Sequence, residues 1–120
     1  YVGKDFIPAA DKSLSDQLAQ LAEGPLTRLH RGKVWSTDAI LRETREVVQK
    51  AVDGGAIAVD MVSSTFLTIA QLYKIPAAVI LVVSDNVMTG EMGFMNPLYY
   101  MSEGKMLNIA FDLIKKREQK

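Results

Sequence analysis

Three aspartates in this chain follow short apolar runs. Asp85 comes after residues 77–83 and Ser84, Asp60 after Ala56-Ile57-Ala58-Val59, and Asp38 after Val34-Trp35-Ser36-Thr37. A carboxylate at the end of a buried strand loses part of its hydration, which raises its pKa toward the range of a general acid. Asp85 ends the most hydrophobic of these runs and is the first candidate for that chemistry. The competing reading is a turn or N-cap aspartate, because Ser, Asp and Asn are all ordinary turn formers. Asp60 reads either as a group facing a ligand or as a structural carboxylate capping the next helix, and the local pattern favours the cap. Met61 is by default a core residue, Asp38 a helix cap and His30 a strand-surface residue. The methionines and aromatics of residues 87–100 suit a ligand lid or an oligomer contact.

Several chemistries are excluded by composition. The chain has no cysteine and one histidine, which rules out disulfides and thiolate metal sites and leaves no histidine cluster, so no metal is expected. No glycine-rich P-loop, Gly-x-Gly-x-x-Gly, Gly-x-Ser-x-Gly or zinc motif is present, so the chain lacks a self-contained phosphate cradle. Fourteen basic residues balance fourteen acidic ones, which gives no electrostatic footprint for nucleic acid or an anionic membrane. No apolar run approaches the roughly 20 residues a membrane span needs. The sequence opens on Tyr1 without a signal-peptide pattern, so a cytoplasmic setting and a processed or truncated product are the expectations.

The elements that must position these residues follow from periodicity. Leu14, Leu18 and Leu21 recur at spacings of four and three, predicting a helix over 13–23 with Ser13 and Asp16 as a capping box. Gly24-Pro25 ends it, and residues 26–37 read as one strand or a hairpin around Gly32-Lys33. Asp38 is placed to cap a second helix whose apolar face is Leu41, Val47, Val48 and Ala51, with Arg42, Glu43, Arg45, Glu46 and Lys50 in water. Gly54-Gly55 closes it. Residues 56–61 then read as a buried strand, 63–73 as an apolar helix and 77–83 as a third strand. Residues 86–103 give no clear element, and 105–117 read as a helix burying Leu107, Phe111 and Ile114, with Lys115, Lys116 and Arg117 at its C-terminus. The order βαβαβ predicts an α/β fold with all three strands in one mostly parallel or mixed sheet. In open α/β sheets ligands bind beyond the carboxyl ends of the strands, where Ser36-Thr37-Asp38, Asp60-Met61-Val62 and Ser84-Asp85 all fall. Without a repeat or a compositional boundary, residues 1–120 read as a single α/β unit.

Three segments, Gly32-Lys33-Val34-Trp35-Ser36-Thr37-Asp38-Ala39, Gly55-Ala56-Ile57-Ala58-Val59-Asp60-Met61 and Leu81-Val82-Val83-Ser84-Asp85, together resemble the purine nucleoside and uridine phosphorylase family, in its C-terminal half. The resemblance implies a phosphorylase-like three-layer α/β/α fold, incomplete in a chain of this length. The family's second segment reads Glu-Met-Glu, its methionine packing on the sugar and its second glutamate holding the ribose hydroxyls. Here these positions are Asp60, Met61 and Val62, so the methionine is kept and the ribose-binding carboxylate is replaced. Ser84 and Asp85 match the Ser-Asp pair of the purine-cleaving members, whose carboxyl protonates the departing base. Ile40 takes the place of an aromatic near the nucleoside, and Thr44 and Glu46 do not reproduce the Gln-x-Arg pair of the uridine-specific members.

What the resemblance implies is a pentosyltransferase of nucleoside salvage or catabolism, or a piece of one, cleaving an N-glycosidic bond with phosphate as co-substrate and no cofactor. Asp85 is then the catalytic acid, and Asp60, Met61, Val62, Ser84 and Ile40 border the substrate. The family's first half carries its glycine-rich phosphate loop and arginines, so this chain alone is expected to be inactive and to pair with an N-terminal half or form a homo-oligomer. The alternatives are a nucleoside hydrolase of the same superfamily and a non-catalytic ligand-binding or assembly module, for which Val62 and the missing phosphate loop speak.

Overall fold

In the computed structural model of the chain, every residue is described except Tyr1, Lys4, Pro25, Leu26, Ile40, Arg42 and Lys120. The expectations for Ile40, Leu26 and Arg42 lie outside the described residues. The elements run α1 (Lys12–Ala22), β1 (Lys33–Ser36), α2 (Arg45–Asp53), β2 (Ala56–Asp60), α3 (Ser63–Leu72), β3 (Asp85–Asn86), β4 (Glu91–Met92) and α4 (Pro97–Glu118). They fall into two compact units, one of Tyr1–Ser15 and Gly32–Val79, the other of Asp16–Arg31 and Ile80–Lys120.

The first unit is built on a parallel pair, β1 with β2, connected through α2. Its register sets Val34 opposite Ala58, Trp35 opposite Val59 and Ser36 opposite Asp60. The strands end together, and the Thr37 N–H donates to the Asp60 carbonyl at 2.8 Å just past the end of β1. Gly32 admits the Ile57 side chain, whose Cδ1 would lie 2.6 Å from any Cβ at that position. This is the α/β arrangement that the alternation of strand and helix implied.

Local chemistry differs from expectation at the helix starts. The cap of α1 is Asp11, whose Oδ1 accepts the Leu14 N–H at 2.8 Å, while Asp16 pairs with Arg31 at 2.8 Å. Thr44, and not Asp38, caps α2 by accepting the Val47 N–H. Residues 38–44 therefore precede the helix, and Leu41 is 96% exposed instead of sharing the apolar face, leaving Val48 as the buried residue of α2. Gly55, at φ +84°, turns the chain out of α2. α3 ends in a Schellman motif: Lys74, in the left-handed region at φ 56°, donates to the Gln71 carbonyl and Ile75 donates to that of Ala70.

The expected third strand at residues 77–83 forms no ladder; among the described residues β1 pairs only with β2 and β3 only with β4. Apolar, β-branched composition reports a preference for burial, whereas a ladder also needs a neighbouring strand to offer its N–H and C=O groups. At this run the backbone bonds are few: the Ala77 carbonyl accepts the Asp11 N–H at 2.7 Å, and the Ser84 carbonyl accepts the Gly93 N–H.

In the second unit, β3 and β4 form a two-residue antiparallel hairpin. Asn86 organises its turn, its Oδ1 accepting the Met88 and Thr89 N–H groups and its carbonyl the Gly90 N–H. α4 then starts eight residues earlier than periodicity indicated, at Pro97, with Asn96 as its N-cap. Proline at the first helical position lacks only an N–H that would be unpaired there anyway. Its buried residues are Ile109 and Leu113, while Leu107, Phe111 and Ile114, the face expected inside, are exposed. No helix among the described residues is long and apolar enough to cross a membrane.

Candidate functional site

The carboxyl end of β2 carries a caged carboxylate. Because Ser36 and Asp60 are register partners, the Ser36 hydroxyl reaches across to donate to Asp60 Oδ1 at 2.6 Å. The Ser63 N–H donates to Oδ2 at 2.8 Å, and the Ser63 hydroxyl donates to the same oxygen. Ser36 Oγ in turn accepts the Ser64 N–H at 3.0 Å. Two of the unpaired N–H groups at the start of α3 are thus satisfied by one carboxylate and one serine, both held by the parallel pair.

Partial burial raises the proton affinity of Asp60. The hydrogen bonds from the Ser36 and Ser63 hydroxyls and from the Ser63 and Val62 N–H groups together outweigh it, so the carboxyl titrates below its ordinary value of 3.8. Asp60 is therefore an ionised acceptor at neutral pH, anchoring α3 to the sheet. The helix-capping reading of Asp60 describes this geometry, and Ser63 is the partner that sequence reasoning missed. The signal was available as Asp-x-x-Ser ahead of an apolar helix, the side chain reaching a backbone N–H three residues on.

A pH dependence follows from this cage. A carboxyl whose folded-state pKa is depressed adds stability at pH above its unfolded value, and that stability is lost as pH falls through the folded value. Acid titration of thermal stability is expected to show a loss beginning near pH 4 and continuing below it, reduced in Asp60→Asn. An identical acid profile in the variant removes Asp60 from the linkage.

Met61 and Val62 leave the strand end on the outside. Met61 is exposed and not part of the core, and Val62, at the N-cap of α3, is 66% exposed. Position 62 thus presents its side chain to solvent beside an ionised carboxylate and the positive end of a helix.

Ser84 and Asp85 sit at the base of the β3–β4 hairpin. The Ser84 hydroxyl donates to Asp85 Oδ1, which orients the carboxyl. Asp85 is exposed, so the burial on which its expected acidity rested is absent in this structure. The pair is held by Gly93, whose N–H donates to the Ser84 carbonyl at 2.6 Å; a Cβ on Gly93 would stand 2.7 Å from that oxygen. Gly93→Ala is expected to open the hairpin, at a cost of about 1–3 kcal/mol for the forced backbone shift. Faster amide exchange at residues 90 and 93 checks it, and unchanged protection counts against the close approach.

On the first turn of α4 the Tyr99 hydroxyl donates to Glu103 Oε1 at 2.6 Å. That bond, with smaller contributions from partial burial and nearby charges, raises its pKa above 10.0 and keeps it neutral. Among the described residues no group of three or more His, Cys, Asp or Glu is placed to hold a metal ion. The structure thus assembles two constellations, Ser36, Asp60, Ser63 and Ser64 with Met61 and Val62 beside them, and Ser84 with Asp85. Asp38 is exposed and takes no part in the first.

The chain matches the family model of the phosphorylase superfamily over residues 1–99. It is similar to the DeoD-type purine nucleoside phosphorylases of Bacillus cereus and Bacillus cytotoxicus, in each case 33% identical over 91 residues. The same values hold for the DeoD-type purine nucleoside phosphorylase of Bacillus thuringiensis (strain Al Hakam). The matched region is 76% of this chain and spans 39% of each relative's length. No solved structure matches the chain.

Proposed function

We propose, since the chain belongs to the phosphorylase superfamily, that it supplies the sugar-facing segment and the acid of a purine nucleoside phosphorylase. The observation that carries this reading is the Ser84–Asp85 pair, a carboxyl oriented by its neighbouring hydroxyl at the base of a fixed hairpin. In the reaction a phosphate oxygen bonds to the anomeric carbon as the C–N glycosidic bond breaks. The bonding electrons pass to the base, which takes a proton from the Asp85 carboxyl.

Met61 packs on the sugar, Ser84 orients the acid, and Asp60 fixes the strand end and helix from which Met61 and Val62 project. The hairpin residues border the base. Phosphate is a co-substrate and no cofactor or metal takes part. With no phosphate loop in its sequence, the chain acts within a larger polypeptide or assembly that provides one. The test is phosphate-dependent release of free base from purine nucleosides by the full polypeptide carrying this chain. Release that is equally fast without phosphate would make the protein a hydrolase.

A second reading, a ligand-binding or assembly module without catalysis, draws on Val62. An exposed apolar residue stands where the family holds the ribose hydroxyls with a carboxylate. Calorimetric binding of nucleosides without turnover in the full polypeptide would establish it in place of the first.

A further inference from the structure

The start of α3 lacks a cap of its own. Its N-cap position is Val62, whose side chain has no acceptor for the N–H groups of the first turn. Asp60 takes the first of these, its Oδ2 accepting the Ser63 N–H at 2.8 Å. The next, from Ser64, reaches another strand, where Ser36 at the end of β1 accepts it at 3.0 Å. The N–H of residue 64 is one that an N-cap side chain at 62 would ordinarily bond. Ser36, 28 residues before its partner, thus supplies the cap that Val62 cannot.

The same hydroxyl also works in the other direction. It donates to Asp60 Oδ1 at 2.6 Å, because the parallel register makes Ser36 and Asp60 partners at the strand ends. One oxygen of β1 thereby holds the residue before the Met61-Val62 link and a residue just after it. The link is only two residues long and both its ends are tied. The Asp60 carbonyl accepts the Thr37 N–H at 2.8 Å, and the buried Ser63 donates its hydroxyl to the Asp60 carboxylate. Met61 and Val62 themselves are exposed. Capping by Ser36 relieves position 62 of holding the helix and leaves its side chain to face outward. A hydroxyl has one proton to donate, and that of Ser36 goes to Asp60, so Ser36 acts on the link and donates nothing to a ligand.

We propose that Ser36 is the positioning residue of the sugar-facing segment: its hydroxyl, bonded to both Asp60 and Ser64, fixes where Met61 and Val62 stand and so sets the affinity for the sugar of a nucleoside. The inference rests on the reaction proposed above and extends it to a residue of β1 that acts only through its neighbours.

Calorimetry and steady-state kinetics of the full polypeptide carrying this chain test it, with purine nucleosides and with the corresponding free bases. Ser36→Ala removes the donor to Asp60 and the acceptor for Ser64 but leaves the Thr37 and Ser63 bonds, so the fold should persist, which far-ultraviolet circular dichroism checks. Nucleoside affinity is expected to fall about threefold to tenfold, the contribution of one ordinary hydrogen bond, with KM rising to match. The kcat should stay within about twofold, since the lost contact serves bound substrate and transition state alike. Free base, which meets the hairpin and not the sugar-facing segment, should bind as before. A general loosening of the fold would instead weaken both ligands. Ser36→Thr keeps the hydroxyl and should retain nucleoside affinity, whereas Ser36→Val, of the same shape without the hydroxyl, should behave as Ser36→Ala does. That pair decides the matter should the alanine variant not fold. Unchanged nucleoside affinity in Ser36→Ala and Ser36→Val, or equal losses for nucleoside and base, overturns the inference and leaves the reaction standing. A parent that neither binds nor cleaves purine nucleosides overturns the reaction, and this inference with it.

Discussion

Asp85→Asn, made in the full polypeptide that carries this chain, is expected to lower phosphorolysis of purine nucleosides by about two to four decades, the usual contribution of a general acid. Asparagine keeps the size of the side chain and can still accept the Ser84 hydroxyl, so the hairpin should persist. What it lacks is a proton to give. The loss should fall on kcat and leave KM within a few fold, because the proton moves only as the glycosidic bond breaks. Substrates whose base leaves readily without protonation should be cleaved at nearly the parental rate, which separates lost acid catalysis from a distorted site. Equal turnover of purine nucleosides by parent and variant would take Asp85 out of the mechanism.

Val62→Glu should act in the opposite direction. A carboxylate holding two ribose hydroxyls makes two charge-assisted hydrogen bonds worth roughly 1.5 to 3 kcal/mol each, and valine makes neither. At about 1.4 kcal/mol per decade, their gain corresponds to roughly two to four decades in ribonucleoside binding or transition-state stabilisation. This is an upper range, since water solvates the hydroxyls when the carboxylate is missing. The fold should tolerate the change, because Val62 is mostly exposed and no glutamate is forced into a core. The positive end of α3 favours the added charge by about 0.3–1 kcal/mol, and repulsion from ionised Asp60 offsets part of that. Melting temperature should therefore move little while affinity rises. A deoxyribonucleoside lacking the 2′-hydroxyl should gain less, and equal gains for both sugars, or none, would remove position 62 from the sugar site.

The candidate residues were legible because chemistry-bearing side chains lay directly after apolar runs, and the resemblance joined three such runs in order. Less legible was what those side chains touch. Asp60 reaches Ser36 across 24 residues of sequence only because β1 and β2 pair in one register. A slip of one residue would turn Ser36 to the other face. The caps show the same limit at short range. Asp11 and Ser13 both stand at the start of α1, and Asp38 and Thr44 both precede α2; all are residue types that cap helices, and the choice depends on where the backbone enters the first turn.

Local sequence by itself determined that the chain alternates strand and helix, that helices occupy the regions of α1, α2 and α3, and that Asp60 stands at a strand end before a helix. These follow from side-chain period, propensity and the conformational needs of glycine and proline, all of which act within a few residues. Tertiary structure decided the rest. Residues 77–83 are as apolar as a buried strand, yet a ladder needs a partner whose backbone lies alongside, and no described strand supplies one. α4 has two stripes of helical period, and the spacing in the sequence pointed to Leu107, Phe111 and Ile114 as the buried one. Ile109 and Leu113 are inside, and Leu107, Phe111 and Ile114 outside, because of what packs against the helix. Periodicity fixes that a face is apolar, and only the neighbouring elements fix which face loses its water.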